Sequence, residues 1–155
     1  MTIFLTSKTL LAIVLDHHTM RWHHQKEEYI CEKLFGKQPN VKGAMIGEVD
    51  DQVWAIRTRG FYSAVDDPET ENKLYILRLV AEELNLQDSE LQVEWLKAVL
   101  QAAQHEAAEW KLGHVELWNP EARVKDLIER TGIEFRVVEG KKRENSQPVV
   151  LWWCP

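Results

Sequence analysis

The stretch Leu74 to Ala81, LYILRLVA, decides the fold. Every position except Arg78 is apolar, at odd and even places alike, and that pattern predicts a strand covered on both faces in the middle of a sheet. The expected faces are Tyr75, Leu77 and Leu79 on one side and Leu74, Ile76 and Val80 on the other. Upstream lies a polar loop, Ser63 to Asn72, centred on Pro68. Before it, Val41 to Val49 and Gln52 to Phe61 read as two antiparallel strands turning at Asp50-Asp51. Earlier still, Thr19 to Phe35 has no Gly or Pro and reads as a helix stopped by Gly36 and Pro39. Its inner face is expected to run through Trp22, Lys26, Tyr29/Ile30 and Lys33/Leu34, with the lysine stems at the edge. The apolar run Leu10 to Leu15 is too short to span a bilayer and leads into Asp16 and His17 without a small-residue cleavage pattern, so it reads as a strand.

Downstream of the central strand, Ser89 and Gln92 fit a capping box, and Leu96, Val99, Ala103, Ala107 and Trp110 keep a helical rhythm. The spacing predicts a helix over Glu90 to Lys111 that buries Leu96, Val99, Ala103 and Ala107 against the sheet and ends near Gly113. A strand from His114 to Trp118 follows, then Asn119 as N-cap and Pro120 as first residue of a helix directing Val124, Leu127 and Ile128 inward before Gly132. Ile133 to Val138 and Pro148 to Trp153 read as a final hairpin whose tip, GKKRENSQ, is kept solvated by Lys141, Lys142 and Arg143. The order amounts to an α/β (α+β) domain with a mixed, mostly antiparallel central sheet flanked by helices.

The chain has 155 residues, room for one domain. With 19 Lys and Arg against 25 Asp and Glu, its net charge of −6 excludes the basic footprint of a nucleic-acid partner. No segment calls for a membrane. Cys31 and Cys154 form no CxxC pair, which points to a reducing compartment, the cytoplasm. The seven tryptophans have no fixed period, so they mark core or interface bulk and not a repeat.

Particular stretches carry a resemblance. TMRWHHQKEEYICEKLFGK (19–37), QVWAIRTR (52–59), LYILRLV (74–80), LQAAQHEAAEWKL (100–112) and VELWNPEARVKDLIERTGIEF (115–135) together resemble the C-terminal domain of the fungal lysine N6-acetyltransferase family. They cover most of residues 18 to 138, in order. The resemblance implies a single GNAT-like domain, the acyl-CoA N-acyltransferase fold, over residues 1–155. In that family a separate N-terminal GNAT domain comes first, and nothing in this chain corresponds to it. Active GNAT enzymes carry a Gln/Arg-x-x-Gly-x-Gly/Ala loop between the central strand and the long helix, where bare backbone N–H groups hold the acetyl-CoA pyrophosphate. Here that position reads EELNLQDSELQVEW, without glycine and with Glu82, Glu83, Asp88 and Glu90 where an anion would sit. The expectation is therefore an accessory domain with no cofactor of its own, not catalytic as an isolated chain. Its expected partners are a catalytic GNAT domain, a second copy, or a small amine such as lysine. The alternative is an active acetyl-CoA-dependent transferase in which a carboxylate such as Glu83 or a water deprotonates the amine.

By their place at the strand ends beside the gap of such a fold, Tyr75, Arg78, Glu82, Glu83, Trp118 and Asn119 are the candidate substrate-binding residues. Three of them also have a plain structural reading. Arg78 is expected in an internal ion pair, Asn119 as a helix cap and Trp118 as core bulk. No catalytic residue is assigned. His17, His18, His23 and His24 lack a third ligand at metal spacing, so no metal is expected. Cys31 is expected as a buried thiol and Cys154 as an exposed end residue. Trp152 and Trp153 are adjacent in a strand and point to opposite faces, so one of the two rings needs a partner, which points to self-association or docking on another chain.

Overall fold

The computed structural model describes residues 16–67, 69, 71–82, 89–139 and 148–153. The expected strand at Leu10 to Leu15, the loop GKKRENSQ and Cys154 lie outside the described residues. Helix α1 (His17–Phe35) begins where the Asp16 carboxylate accepts the Thr19 amide at 2.8 Å. It ends at Gly36, whose φ of 66° makes a left-handed cap.

The inward face of α1 differs from the expected one. Glu27 and Cys31 are buried, whereas Trp22, Tyr29 and Leu34 are 56%, 65% and 50% exposed. Lys26 and Lys33 lie over the rings of Trp22 and Tyr29. The cause is a buried charge network. Glu27 Oε1 accepts the Arg59 amide at 2.8 Å and Arg59 Nη1 at 2.6 Å, and its other oxygen accepts Lys42 Nζ at 2.9 Å. Arg59 Nη2 donates to Glu106, and Arg57 Nη2 lies 3.7 Å from the same carboxylate. A buried carboxylate is tolerable only when matched in this way. Desolvation, and then the neighbouring charge of Arg59, lower the Arg57 guanidinium to about 10.

Strands β1 (Gly43–Glu48) and β2 (Asp51–Gly60) pair antiparallel with Glu48 opposite Asp51. The turn is therefore Val49-Asp50, one residue earlier than expected, and Asp50 adopts φ 69°, a conformation its short polar side chain tolerates. Then come β3 (Lys73–Ala81), α2 (Ser89–Glu109), β4 (His114–Trp118), α3 (Ala122–Arg130), β5 (Arg136–Glu139) and β6 (Pro148–Trp153). The sheet order is β1-β2-β3-β4-β6-β5, so β3 is central as its sequence predicts. All neighbours are antiparallel except β3 and β4, a parallel pair joined through α2. This is the mixed, mostly antiparallel α/β sheet flanked by helices that the sequence predicts.

The faces of β3 need correction. Between β2 and β3 the register jumps: Ile56 faces Arg78 and Arg57 faces Ile76, so Leu77 is an extra, bulged residue. Beyond it the alternation shifts by one, and Leu79 joins Leu74 and Ile76 while Val80 joins Tyr75. On the Leu74 side, Val53, Ala55, Leu74 and Ile76 are buried in one cluster with Leu96, Val99, Leu100, Ala103 and Ala107 of α2. The residues of α2 expected to be buried against the sheet, Leu96, Val99, Ala103 and Ala107, are the ones that meet it here. The Tyr75 side is only half-buried, and Arg78 is exposed on it.

Candidate functional site

The parallel β3–β4 pair is hydrogen-bonded only from Lys73 opposite His114 to Ile76 opposite Leu117. Past that point the bulge at Leu77 turns β3 away and the two strands part. The gap is a cleft of about 230 Å³ lined by Leu77 to Val80 on one wall and by Leu117 to Glu121 and Val124 on the other. Three of the six expected site residues, Arg78, Trp118 and Asn119, meet at this opening. Arg78 forms no ion pair with a described residue; its guanidinium lies over the Trp54 ring, 5.5 Å from the centroid. The buried arginines are instead Arg57 and Arg59. Trp118 is not core bulk but 59% exposed at the cleft mouth, its indole N–H donating to Glu116. Asn119 does not cap α3: that position belongs to Glu121, which makes no side-chain cap bond, and Asn119 turns the chain with φ 45°. Glu82 is half-buried at the end of β3, and its amide donates to the Gln52 carbonyl at 2.9 Å. Glu83 lies outside the described residues.

Tyr75 faces away from the cleft, toward a polar cluster on the paired half of the strands. Glu116 is buried there, accepting Lys73 Nζ at 3.1 Å with His114 Nε2 at 3.4 Å. Burial alone would raise the Glu116 carboxyl, but the hydrogen bonds from His114, Lys73 and Trp118 outweigh it and hold the group below its ordinary value. Burial, and then a hydrogen bond with Tyr62, push the Tyr75 phenol far above its ordinary value, so it stays protonated. Sequence reasoning missed Lys73, His114 and Glu116. The signal was present: Lys73 and Tyr75 alternate with Leu74 and Ile76, and His114, Glu116 and Trp118 alternate with Val115 and Leu117, so each strand has one polar face.

A second missed group closes the start of α2. Arg123 of α3 donates to the Ala81 carbonyl at 2.9 Å and to Gln92 Oε1 at 2.7 Å, and Gln92 donates to the Glu82 carbonyl. Gln92 thus bridges to β3, while the Ser89 side chain of the expected capping box lies outside the described residues. His24 Nε2 lies 3.1 Å from the Arg57 carbonyl, a structural contact. Burial raises the Cys31 thiol to about 11, which leaves it inert as a nucleophile. Among the described residues no three His, Cys, Asp or Glu side chains converge as a metal site. Nor is any described helix long and apolar enough to cross a membrane.

Two solved structures align with the chain. An acetyltransferase from Agrobacterium tumefaciens str. C58 aligns at 17% identity over 84% of this chain and 69% of its own, with a TM-score of 0.39. The ribosomal-protein-S18-alanine N-acetyltransferase from Escherichia coli aligns at 10% identity over 90% of both chains, with a TM-score of 0.40. No curated protein sequence matches the chain. A family model, the LYC1 GNAT-like C-terminal domain, matches residues 5–154.

Proposed function

Because the chain belongs to the family of LYC1 GNAT-like C-terminal domains, we propose that it is an accessory domain that packs on a catalytic GNAT domain or on a second copy and helps to shape an amine-substrate pocket, without binding acetyl-CoA itself. The observation that carries this reading is the chemistry beside the β3–α2 junction. There the Arg123 guanidinium is turned to the Ala81 carbonyl and Gln92 Oε1, and the Gln92 amide to the Glu82 carbonyl, so these side-chain donors are spent on the protein's own acceptors. The adjoining sequence offers carboxylates and no glycine. The same reading sets the protein in the cytoplasm and takes lysine as the amine, both resting on cysteine usage and family resemblance.

The test is a thermal melt of the chain with increasing acetyl-CoA. A ligand specific to the native state must raise Tm, and a 100-fold excess over Kd contributes about 2.7 kcal/mol. The expected result is no shift. A concentration-dependent rise of several degrees would overturn the reading and favour the second one, an acetyl-CoA-dependent transferase acting on the ε-amine of lysine. One observation supports that rival: the cleft between β3 and β4 stays open and is rimmed by exposed groups. Thiol release from acetyl-CoA in the presence of lysine would establish it.

A further inference from the structure

Helix α1 is inverted. It sets an acid, Glu27, against the sheet, and on the opposite side Trp22, Lys26, Tyr29 and Lys33 follow one another at i, i+4, i+7 and i+11, so they form one ridge. All four are exposed, and both rings are more than half so. An ordinary solvated ridge sets acids one turn from its lysines and keeps aromatic rings inward. Here the rings stand where the acids would. Lys26 Nζ lies 5.4 Å from the centre of the Trp22 ring, and Lys33 Nζ 5.6 Å from that of Tyr29.

No described carboxylate pairs with either ammonium. The acids nearest the ridge are engaged elsewhere, Glu28 with Lys42 at 3.2 Å and Glu32 with Gln38 at 2.8 Å. The ring beneath each ammonium already orders it, which lowers the cost of pairing it with a partner's charge. The rings also supply the water-excluding area that an isolated surface ion pair lacks, and tryptophan and tyrosine are the usual anchors of interfaces. Lys26 and Lys33 are seven residues apart, two turns or about 10 Å along the helix. The complementary surface therefore carries two carboxylates about 10 Å apart with apolar groups between them, which a second helix provides at its own positions i and i+7. A flat anionic lipid surface fits less well, because it would also meet Glu28 and Glu32 on the flank of the ridge, whereas a rod touches the ridge alone.

We propose that the outer ridge of α1 docks an acidic helix of a partner protein, whose carboxylates at i and i+7 pair with Lys26 and Lys33 while its apolar side chains cover Trp22 and Tyr29. The inference rests on the accessory reading for the presence of a partner and deepens it by naming the docking surface. Its test contains no acetyl-CoA, so it can fail while the melt leaves that reading standing, and the converse. Fluorescence anisotropy follows a dye-labelled helical peptide of about 20 residues, with glutamates at i and i+7 and leucines between them, as the full chain is added. Two control peptides carry glutamine at both positions, or move the second glutamate to i+5, on another face. The paired-glutamate peptide is expected to bind at least about tenfold more tightly than either control, and less tightly as salt is raised. The double variant Lys26→Glu, Lys33→Glu should lose that binding and gain binding to a peptide with lysines at i and i+7, which an unfolded chain would not do. Equal binding of the glutamine peptide, no binding of the paired-glutamate peptide, or unchanged affinity in the double variant would each overturn the proposal. Binding to phosphatidylserine vesicles in place of the glutamate peptide would overturn it in favour of a lipid surface. Self-association of the chain alone that the double variant abolishes would overturn it in favour of a second copy.

Discussion

The same two strands behave differently along their length. From Lys73 to Ile76, β3 is bonded to β4, its inner residues are sealed by α2, and its outer polar groups are matched around Glu116. Within two residues the strands have parted, and Arg78, Trp118 and Asn119 face solvent or cleft. One inserted residue, Leu77, makes the difference. A bulge breaks the ladder and re-aims every side chain after it, so a packed seam becomes an opening without any change in composition. Stability is concentrated in the first half, and access for a ligand in the second.

The comparison breaks if the closed half proves cheap to disrupt. The largest effect is expected where charge is buried behind it. Glu27→Ala removes the carboxylate shared by Arg59 and Lys42 and leaves a buried guanidinium half-matched, a loss of about 3–5 kcal/mol in a urea melt. Ile76→Ala and Leu96→Ala, on the two sides of the sheet–helix contact, should each cost about 2–5 kcal/mol. Near-zero values at Ile76 and Leu96 would mean that the sealed face has been misplaced.

The junction between the halves should be intermediate. Arg123→Ala removes two hydrogen bonds that tie α3 to β3 and α2, each made by a charged donor, and should cost about 1.5–3 kcal/mol. It should also free the carbonyl of Ala81 and the amide of Gln92. If acetyl-CoA then raised the melting temperature where it did not before, the Arg123 contacts would be what keeps the cofactor out.

The frame of the fold was legible because it rests on apolar periodicity. LYILRLVA marked the centre of the sheet, and Leu96, Val99, Ala103 and Ala107 gave the buried face of α2. The errors share a physical origin. On α1 one of the two buried residues is an acid, Glu27, and the outward stripe holds Trp22 and Tyr29, the reverse of the usual partition; only the distant partners Arg59 and Lys42 make that burial tolerable, and a linear pattern does not reveal them. The bulge at Leu77 leaves no mark, since leucine suits either face. Asn119-Pro120 matched a helix start, yet the asparagine serves a left-handed turn at the cleft mouth instead. The fold was therefore read from hydrophobic period, while the site depends on matched charges and one irregular residue.

A pH profile probes the matched groups of the closed half. The Glu116 carboxyl is held below its ordinary value of 4.5 in the folded state, so it contributes stability that is fully present above that value and is lost as pH falls through the lower folded value. Lys73→Met removes the ammonium that holds it. Acid unfolding followed by circular dichroism should therefore begin at higher pH in the variant than in the wild type. An unchanged acid limb would show that Lys73 contributes nothing to the state of Glu116.

The smallest effect is expected in the open half. Trp118 is a large side chain whose loss would be severe in a core, but 59% of it is exposed, and the Glu116 carboxylate to which it donates stays held by Lys73 and His114 at its other oxygen. Trp118→Ala should change stability by no more than about 0.5 kcal/mol, the range for surface substitutions away from special features. An exposed tryptophan at a cleft mouth is instead the type of residue that anchors a bound partner or ligand. Its removal should therefore weaken whatever association sedimentation velocity detects for the wild type, either with itself or with a catalytic domain, while the urea midpoint stays in place. A shifted midpoint with unchanged sedimentation would place Trp118 with the closed half and erase the distinction between the two.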